Sequence, residues 1–187
     1  HYLSYIYEIT PVYTKGAALG SDIENTVSVA NCEFIDHLGG AVFIDANCVV
    51  DIDKCLFMDN TEAPLGGALQ IAELGFAQVT DSTFTGNSAA TSGGAVYTLS
   101  DANFAGCLFA DNESGNNGGA LYAFFNYTGT DPNIDPILHI DLKSCTFQGN
   151  QAVLGAGGMG GALYLRESDL STDNCYFLDN AARTGGA

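Results

Sequence analysis

The stretch CLFADNESGNNGGALY, residues 107–122, decides the fold, because both of its halves recur along the chain in the same order. The first half is Cys-x-Phe with an asparagine three residues on, here Cys107, Phe109 and Asn112. The second half is Gly118-Gly119-Ala120, after which apolar residues alternate. Gly-Gly-Ala begins at Gly39, Gly66, Gly93, Gly118, Gly160 and Gly185, at intervals of 27, 27, 25, 42 and 25 residues. A phenylalanine precedes each copy: Phe34, Phe57, Phe84, Phe109, Phe147 and Phe177. Three residues beyond these stand His37, Asn60, Asn87, Asn112, Asn150 and Asn180. A fixed period of this size marks a repeat architecture, in which each unit buries its apolar side against its neighbours.

Within a unit the apolar residues recur every second position, as in strands, and not at the three- and four-residue spacings of a helix. After Gly-Gly-Ala come Val42/Ile44, Leu69/Ile71, Val96/Thr98, Leu121/Ala123 and Leu163/Leu165. Upstream of the phenylalanines come Val27/Val29, Val50/Ile52, Ala77/Val79, Ala102/Phe104 and Ile140/Leu142. The last unit retains Leu170 with Thr172 and reads as frayed. Three short strands per coil, punctuated by Gly, Asn, Asp and Ser, predict an all-β chain folded as a single-stranded parallel β-helix, a solenoid of about seven coils. At one strand spacing per coil it would stand roughly 35 Å tall. Stacked coils place equivalent residues above one another. The phenylalanines then form an interior aromatic stack, the asparagines a side-chain amide ladder, and the glycine pairs a corner where a Cβ would clash.

The pairing of Gly-Gly-Ala-(Leu/Val) with Phe-x-x-Asn resembles the repeat of the chlamydial polymorphic outer-membrane proteins and related β-helical surface adhesins. The resemblance spans residues 32–187. It implies a right-handed parallel β-helix in an exported, adhesin-like passenger region. His37 in place of the first asparagine and Ser82 in place of one cysteine depart from the pattern.

The chain of 187 residues reads as one solenoid domain, with residues 1–31 a degenerate first coil, 123–139 a loop insertion and 151–159 a glycine-rich corner insertion. The final Gly-Gly-Ala lacks the strand that follows the others, so the chain is expected to continue past residue 187. No apolar run is long enough for a transmembrane helix. Twenty-two acidic against five basic residues give a net charge of −17, which repels nucleic acid and anionic lipid. Five of the six cysteines share one repeat position, two before the phenylalanine: Cys32, Cys55, Cys107, Cys145 and Cys175. Vertical neighbours about one strand spacing apart exceed the Cβ separation of a disulfide, about 3.5–4.5 Å, so these read as buried free thiols. Cys48 lies outside that register and is the one candidate for other chemistry. With no Cys-x-x-Cys pair and scattered histidines, no metal site is expected.

Candidate sites are few. Asn126-Tyr127-Thr128 is an N-glycosylation acceptor within the longest interval, where an exposed loop is expected. Asn112-Glu113-Ser114 also fits the pattern, but Asn112 belongs to the ladder. The glycine-rich run 153–159 lacks the Lys-Ser/Thr of a phosphate loop. Asp36, Asp59, Asp111 and Asp179, two after the phenylalanine, alternate with Gly86 and Gly149 and suit turns better than shared structural calcium. Tyr97, Tyr122 and Tyr164, in register with Phe43 and Gln70, should face outward, as a sugar-stacking strip, a packing surface for another subunit, or a stabiliser of the sheet surface.

Two functional classes remain. The first is a secreted or cell-surface structural or adhesive module, a rigid stalk, fibre segment or passenger domain, without catalysis and without cofactors. Its partners would be further copies stacked end to end or laterally, or a surface glycan or protein. The alternative is a β-helical polysaccharide lyase or hydrolase. Such enzymes need paired carboxylates or a calcium–carboxylate cluster beside a base. Lys15, Lys54, Lys143, Arg166 and Arg183 are the only basic side chains besides histidine and are dispersed, so the first class is preferred.

Overall fold

In a computed structural model, residues 5–6, 26–125, 137–153 and 157–187 are described. The described chain is all β, wound into four parallel sheets. One sheet has seven strands: Tyr5–Ile6, Thr26–Ala30, Val49–Asp53, Phe76–Thr80, Asp101–Ala105, Leu138–Lys143 and Ser168–Asp173. The Cys-x-Phe steps form a six-stranded sheet: Glu33–Ile35, Leu56–Met58, Thr83–Thr85, Leu108–Ala110, Thr146–Gln148 and Tyr176–Leu178. The residues after Gly-Gly-Ala form a five-stranded sheet: Val42–Ile44, Leu69–Ile71, Val96–Thr98, Leu121–Phe124 and Leu163–Arg166. Between these two lies a four-stranded sheet: Ala63–Leu65, Ser88–Ser92, Glu113–Ser114 and Gln151–Ala152.

The fold is therefore a β-solenoid of about five complete turns, one for each strand of the five-stranded sheet. The sequence count of about seven includes the degenerate first coil and the incomplete last one. The fourth sheet has no counterpart in the alternation pattern, because strands such as Glu113–Ser114 are too short to show a period. The last unit is not frayed: Ile140 pairs with Leu170 and Leu142 with Thr172, within a six-residue ladder. Phe124 lies in a strand, as do Leu138 and His139, so the departure from the coil is narrower than residues 123–139. Gln151–Ala152 likewise pairs in register, which narrows the second insertion.

Alternation explains why these segments pair as they do. In Leu138–Lys143 buried and exposed residues alternate without a break, sending Leu138, Ile140 and Leu142 inward. Register is fixed throughout, with Phe34 paired to Phe57, Phe57 to Phe84, Phe84 to Phe109, Phe109 to Phe147 and Phe147 to Phe177. A one-residue slip would turn every such ring to solvent.

The corners are left-handed backbone positions, and their composition follows from that. The residue before Cys/Ser is Asn31, Lys54, Asp81, Gly106, Ser144 or Asn174, with φ from 45° to 65°. The residue two after the phenylalanine is Asp36, Asp59, Gly86, Asp111, Gly149 or Asp179, with φ from 53° to 64°. Asp, Asn and Gly tolerate this region best, so the Asp/Gly alternation at the second corner is turn chemistry. In Gly-Gly-Ala the first glycine takes the positive φ (in the first copy both do), and from Gly67 onward the second has no room for a Cβ. A Cβ on Gly67 would stand 2.6 Å from the Ser88 carbonyl oxygen and nearer still to that of Gly94.

Candidate functional site: stacked columns and an outward tyrosine row

The asparagines form a column that runs in one direction. The Asn60 side-chain amide donates to Asn87 Oδ1 at 2.8 Å, Asn87 to Asn112 at 2.9 Å, Asn112 to Asn150 at 2.9 Å and Asn150 to Asn180 at 2.8 Å. The second amide hydrogen goes to a phenylalanine carbonyl, as from Asn87 Nδ2 to Phe57 O at 3.0 Å. Each of these oxygens also accepts the backbone N–H of the preceding column residue, beginning with His37 N to Asn60 Oδ1 at 3.1 Å. Asn60, Asn87, Asn112 and Asn150 are fully buried, which such complete satisfaction permits. Asn112 is thus engaged on every side and is not presented for glycosylation. Asn126 lies outside the described residues.

Beside the ladder the phenylalanine rings stack at centroid separations of 4.8, 4.7, 4.8, 4.6 and 5.0 Å, from Phe34 through Phe57, Phe84, Phe109 and Phe147 to Phe177. Their planes lie within 5° of parallel. Phe104 meets Phe109 edge-on at 5.5 Å, an arrangement suited to the ring quadrupoles.

The cysteine position caps the preceding corner. Cys55 Sγ donates to Asp53 O at 3.3 Å, and Ser82 Oγ makes the equivalent bond to Thr80 O at 2.8 Å. Serine can therefore replace cysteine there, because the position needs a small side-chain donor. None of the six cysteines forms a disulfide, and all but Cys175 are buried. Burial pushes the Cys55 thiol up to about 11. The neighbouring Cys145 thiol, together with burial, holds the Cys107 thiol above its ordinary range.

Outside, Phe43, Gln70, Tyr97, Tyr122 and Tyr164 form one row across the five-stranded sheet. Tyr97 and Tyr122 stack at 5.1 Å with planes 3° apart, and Tyr122 and Tyr164 at 5.4 Å and 15°. Burial raises the Tyr97 and Tyr122 hydroxyls above their ordinary range. Parallel rings this close cover one another's faces, so the row offers edges and hydroxyls outward. A sugar stacking flat would find a free face only at the ends of the row. The Arg166 guanidinium, which the sequence pattern did not single out, sits 4.9 Å from the Phe124 ring centroid. Also missed was the corner where Thr98 Oγ1 donates to Ser100 O at 2.7 Å and Ser100 Oγ accepts from Gly75 N at 2.8 Å. The contact between Gly75 and Ser100 crosses 25 residues and becomes visible only once the coils are in register.

Among the described residues no three His, Cys, Asp or Glu side chains gather to hold a metal ion. Lys54 pairs with its neighbour Asp53 at 2.7 Å on the surface. The Lys54 ammonium and the Thr80 hydroxyl hold the Asp53 carboxyl below its usual range. Among the described residues no helix is long and apolar enough to cross a membrane.

Three segments, residues 81–99, 106–123 and 144–166, match the family model of the Chlamydia polymorphic membrane protein repeat. The three matches each contain a Cys/Ser-x-Phe step, a ladder asparagine and a Gly-Gly-Ala corner, and together cover about a third of the chain. No curated protein and no solved structure matches the chain significantly.

Proposed function

We propose that this chain is an extracellular or cell-surface structural or adhesive solenoid, a rigid stalk, fibre segment or passenger module without catalysis or cofactors of its own. The observation that carries this reading is the use to which the repeated residues are put. Phenylalanine, asparagine, cysteine and paired glycine all serve coil stacking, and among the described residues no three His, Cys, Asp or Glu side chains gather to hold a metal ion. The matched repeat supports a surface setting, since its family is described as membrane proteins. A net charge of −17 suits a well-solvated surface body and disfavours nucleic acid as a partner. The partners proposed are further copies of the chain, or a surface glycan or protein met by the edges and hydroxyls of the tyrosine row.

The test has two arms. Antibody labelling of intact, unpermeabilised source cells should find the protein at the surface; labelling only after lysis would overturn the localisation. Incubation with acidic and neutral polysaccharides should release no oligosaccharides, and enzymatic product release abolished by heat denaturation would overturn the non-catalytic reading.

A further inference from the structure

The thiol column has a geometry of its own. Cys32, Cys55, Ser82, Cys107, Cys145 and Cys175 occupy one position in successive coils, each immediately before a strand of the six-stranded sheet. From the second coil upward each sulfur makes the same two contacts. Cys55 reaches Asp53 O at 3.3 Å and, one coil below, Val29 O at 3.6 Å. Cys107 reaches Ala105 O at 3.4 Å and Val79 O at 3.6 Å, and Cys145 reaches Lys143 O at 3.4 Å and Phe104 O at 3.3 Å. Cys175 reaches Asp173 O at 3.5 Å and Leu142 O at 3.4 Å. Sulfurs with equivalent surroundings in successive coils are one coil rise apart, and the phenylalanine stack gauges that rise at 4.6–5.0 Å.

That spacing is too long for a disulfide without backbone movement. It suits a different bond. A metal–thiolate bond is about 2.3 Å, so an ion held in line between two sulfurs spans about 4.6 Å. Soft thiolates select soft ions. We propose that vertically adjacent thiols of this column are two-coordinate sites for a soft, linearly bound d10 cation. One site lies between Cys32 and Cys55, and the other joins Cys145 to Cys107 or Cys175. Ser82 divides the two, because its hydroxyl is a hard, poor ligand for such an ion.

Each binding event forms two metal–sulfur bonds, releases both thiol protons to solvent and transfers no electron. A divalent soft ion leaves a neutral unit, which a buried site tolerates best; a monovalent one leaves a net negative charge there. A four-coordinate ion such as zinc lacks its remaining ligands, since among the described residues no three His, Cys, Asp or Glu side chains converge to hold one ion. The strongly acidic chain raises the local concentration of cations at its surface. Cysteine spacing along the chain conceals these pairs, because the two ligands of a site stand a whole coil apart.

Stepwise titration of the reduced full chain with mercuric ion, read by native mass spectrometry and free-thiol counting while circular dichroism monitors the fold, tests this. The wild type should take up two ions and lose four free thiols. Cys145→Ala should take up one ion, because Cys107 and Cys175 are then two coils apart, whereas Cys107→Ala and Cys48→Ala should still take up two. Ser82→Cys should complete the column and bind three. One ion per thiol, uptake only after unfolding, or a stoichiometry unmoved by Ser82→Cys would overturn the proposal. The Ser82→Cys and Cys107→Ala arms decide the matter even if Cys145→Ala fails to fold.

Discussion

The middle coils and the last coil carry the same residues at the same positions, yet the residues are worth different amounts in the two places. Phe109, Asn112 and Cys145 are 0% exposed, whereas Phe177, Asn180 and Cys175 are only partly covered. Leu138–Lys143 alternates cleanly between buried and exposed, while Ser168–Asp173, paired in full register on top of it, is almost wholly exposed. Leu170, Tyr176 and Leu178 are 44%, 58% and 46% exposed. Composition does not make the difference. Within residues 1–187 a middle coil is covered from both sides and the coil of Phe177 from one, so a further coil stacked on it would remove the difference, as expected where stability is a sum of nearest-neighbour interfaces.

The sharpest way to break that comparison is to remove a ring from each place. Phe84→Ala should destabilise the fold by about 3–5 kcal/mol, through lost burial and the cavity left between two rings. Phe177→Ala, with a ring on one side only, should cost less than half as much, and chemical denaturation of the two variants measures both. Equal losses would mean that the last coil is as well packed as the middle.

A comparable effect is expected from the ladder. Asn87→Ala removes the acceptor of Asn60 and the donor to the Phe57 carbonyl, leaving buried polar groups unmatched at about 1–3 kcal/mol each. Asn180→Ala leaves its orphaned groups at the less covered end, where water reaches them, and should cost under about 1 kcal/mol. Denaturant midpoints of both variants check the ratio.

The thiols should show the smallest effect. Cys175 should alkylate first in the folded protein, and Cys107 and Cys145 only on unfolding, as timed mass spectrometry would show. The Cys55 thiol keeps its proton to about pH 11 in the fold against an ordinary value of 9.0. Above pH 9 the unfolded chain gives up a proton that the folded one retains, so this group's contribution to stability falls as pH rises toward 11. The midpoint of urea unfolding should drop over that window, and less so in Cys55→Ala.

Much of this was legible from residue type alone because a solenoid repeats its physics. Phe34 to Phe177 recur at one position, and a ring that recurs once per coil must lie above the last one. The parallel sheets followed from the alternation of Val50/Ile52 and Ile140/Leu142. What escaped has a common cause. The four-stranded sheet is built of strands such as Gln151–Ala152, too short for any period to register. The Arg166–Phe124 contact and the Ser100 corner join residues of different coils that no motif links. The outward direction of the tyrosines was readable from parity, but their mutual stacking, which closes the ring faces to a flat ligand, was not.

The asparagine column has one more consequence. Every side-chain amide in it is oriented alike, its oxygen toward His37 and one amide hydrogen toward Asn180, while the other hydrogen returns to the phenylalanine carbonyl of the preceding coil. Dipoles aligned head to tail add, as peptide units do in a helix, and each polarises the next. The backbone ladders of the sheets carry little net dipole. The ladder therefore gives a body of nearly identical coils an electrical direction, its partial negative side facing His37 and its partial positive side facing Asn180.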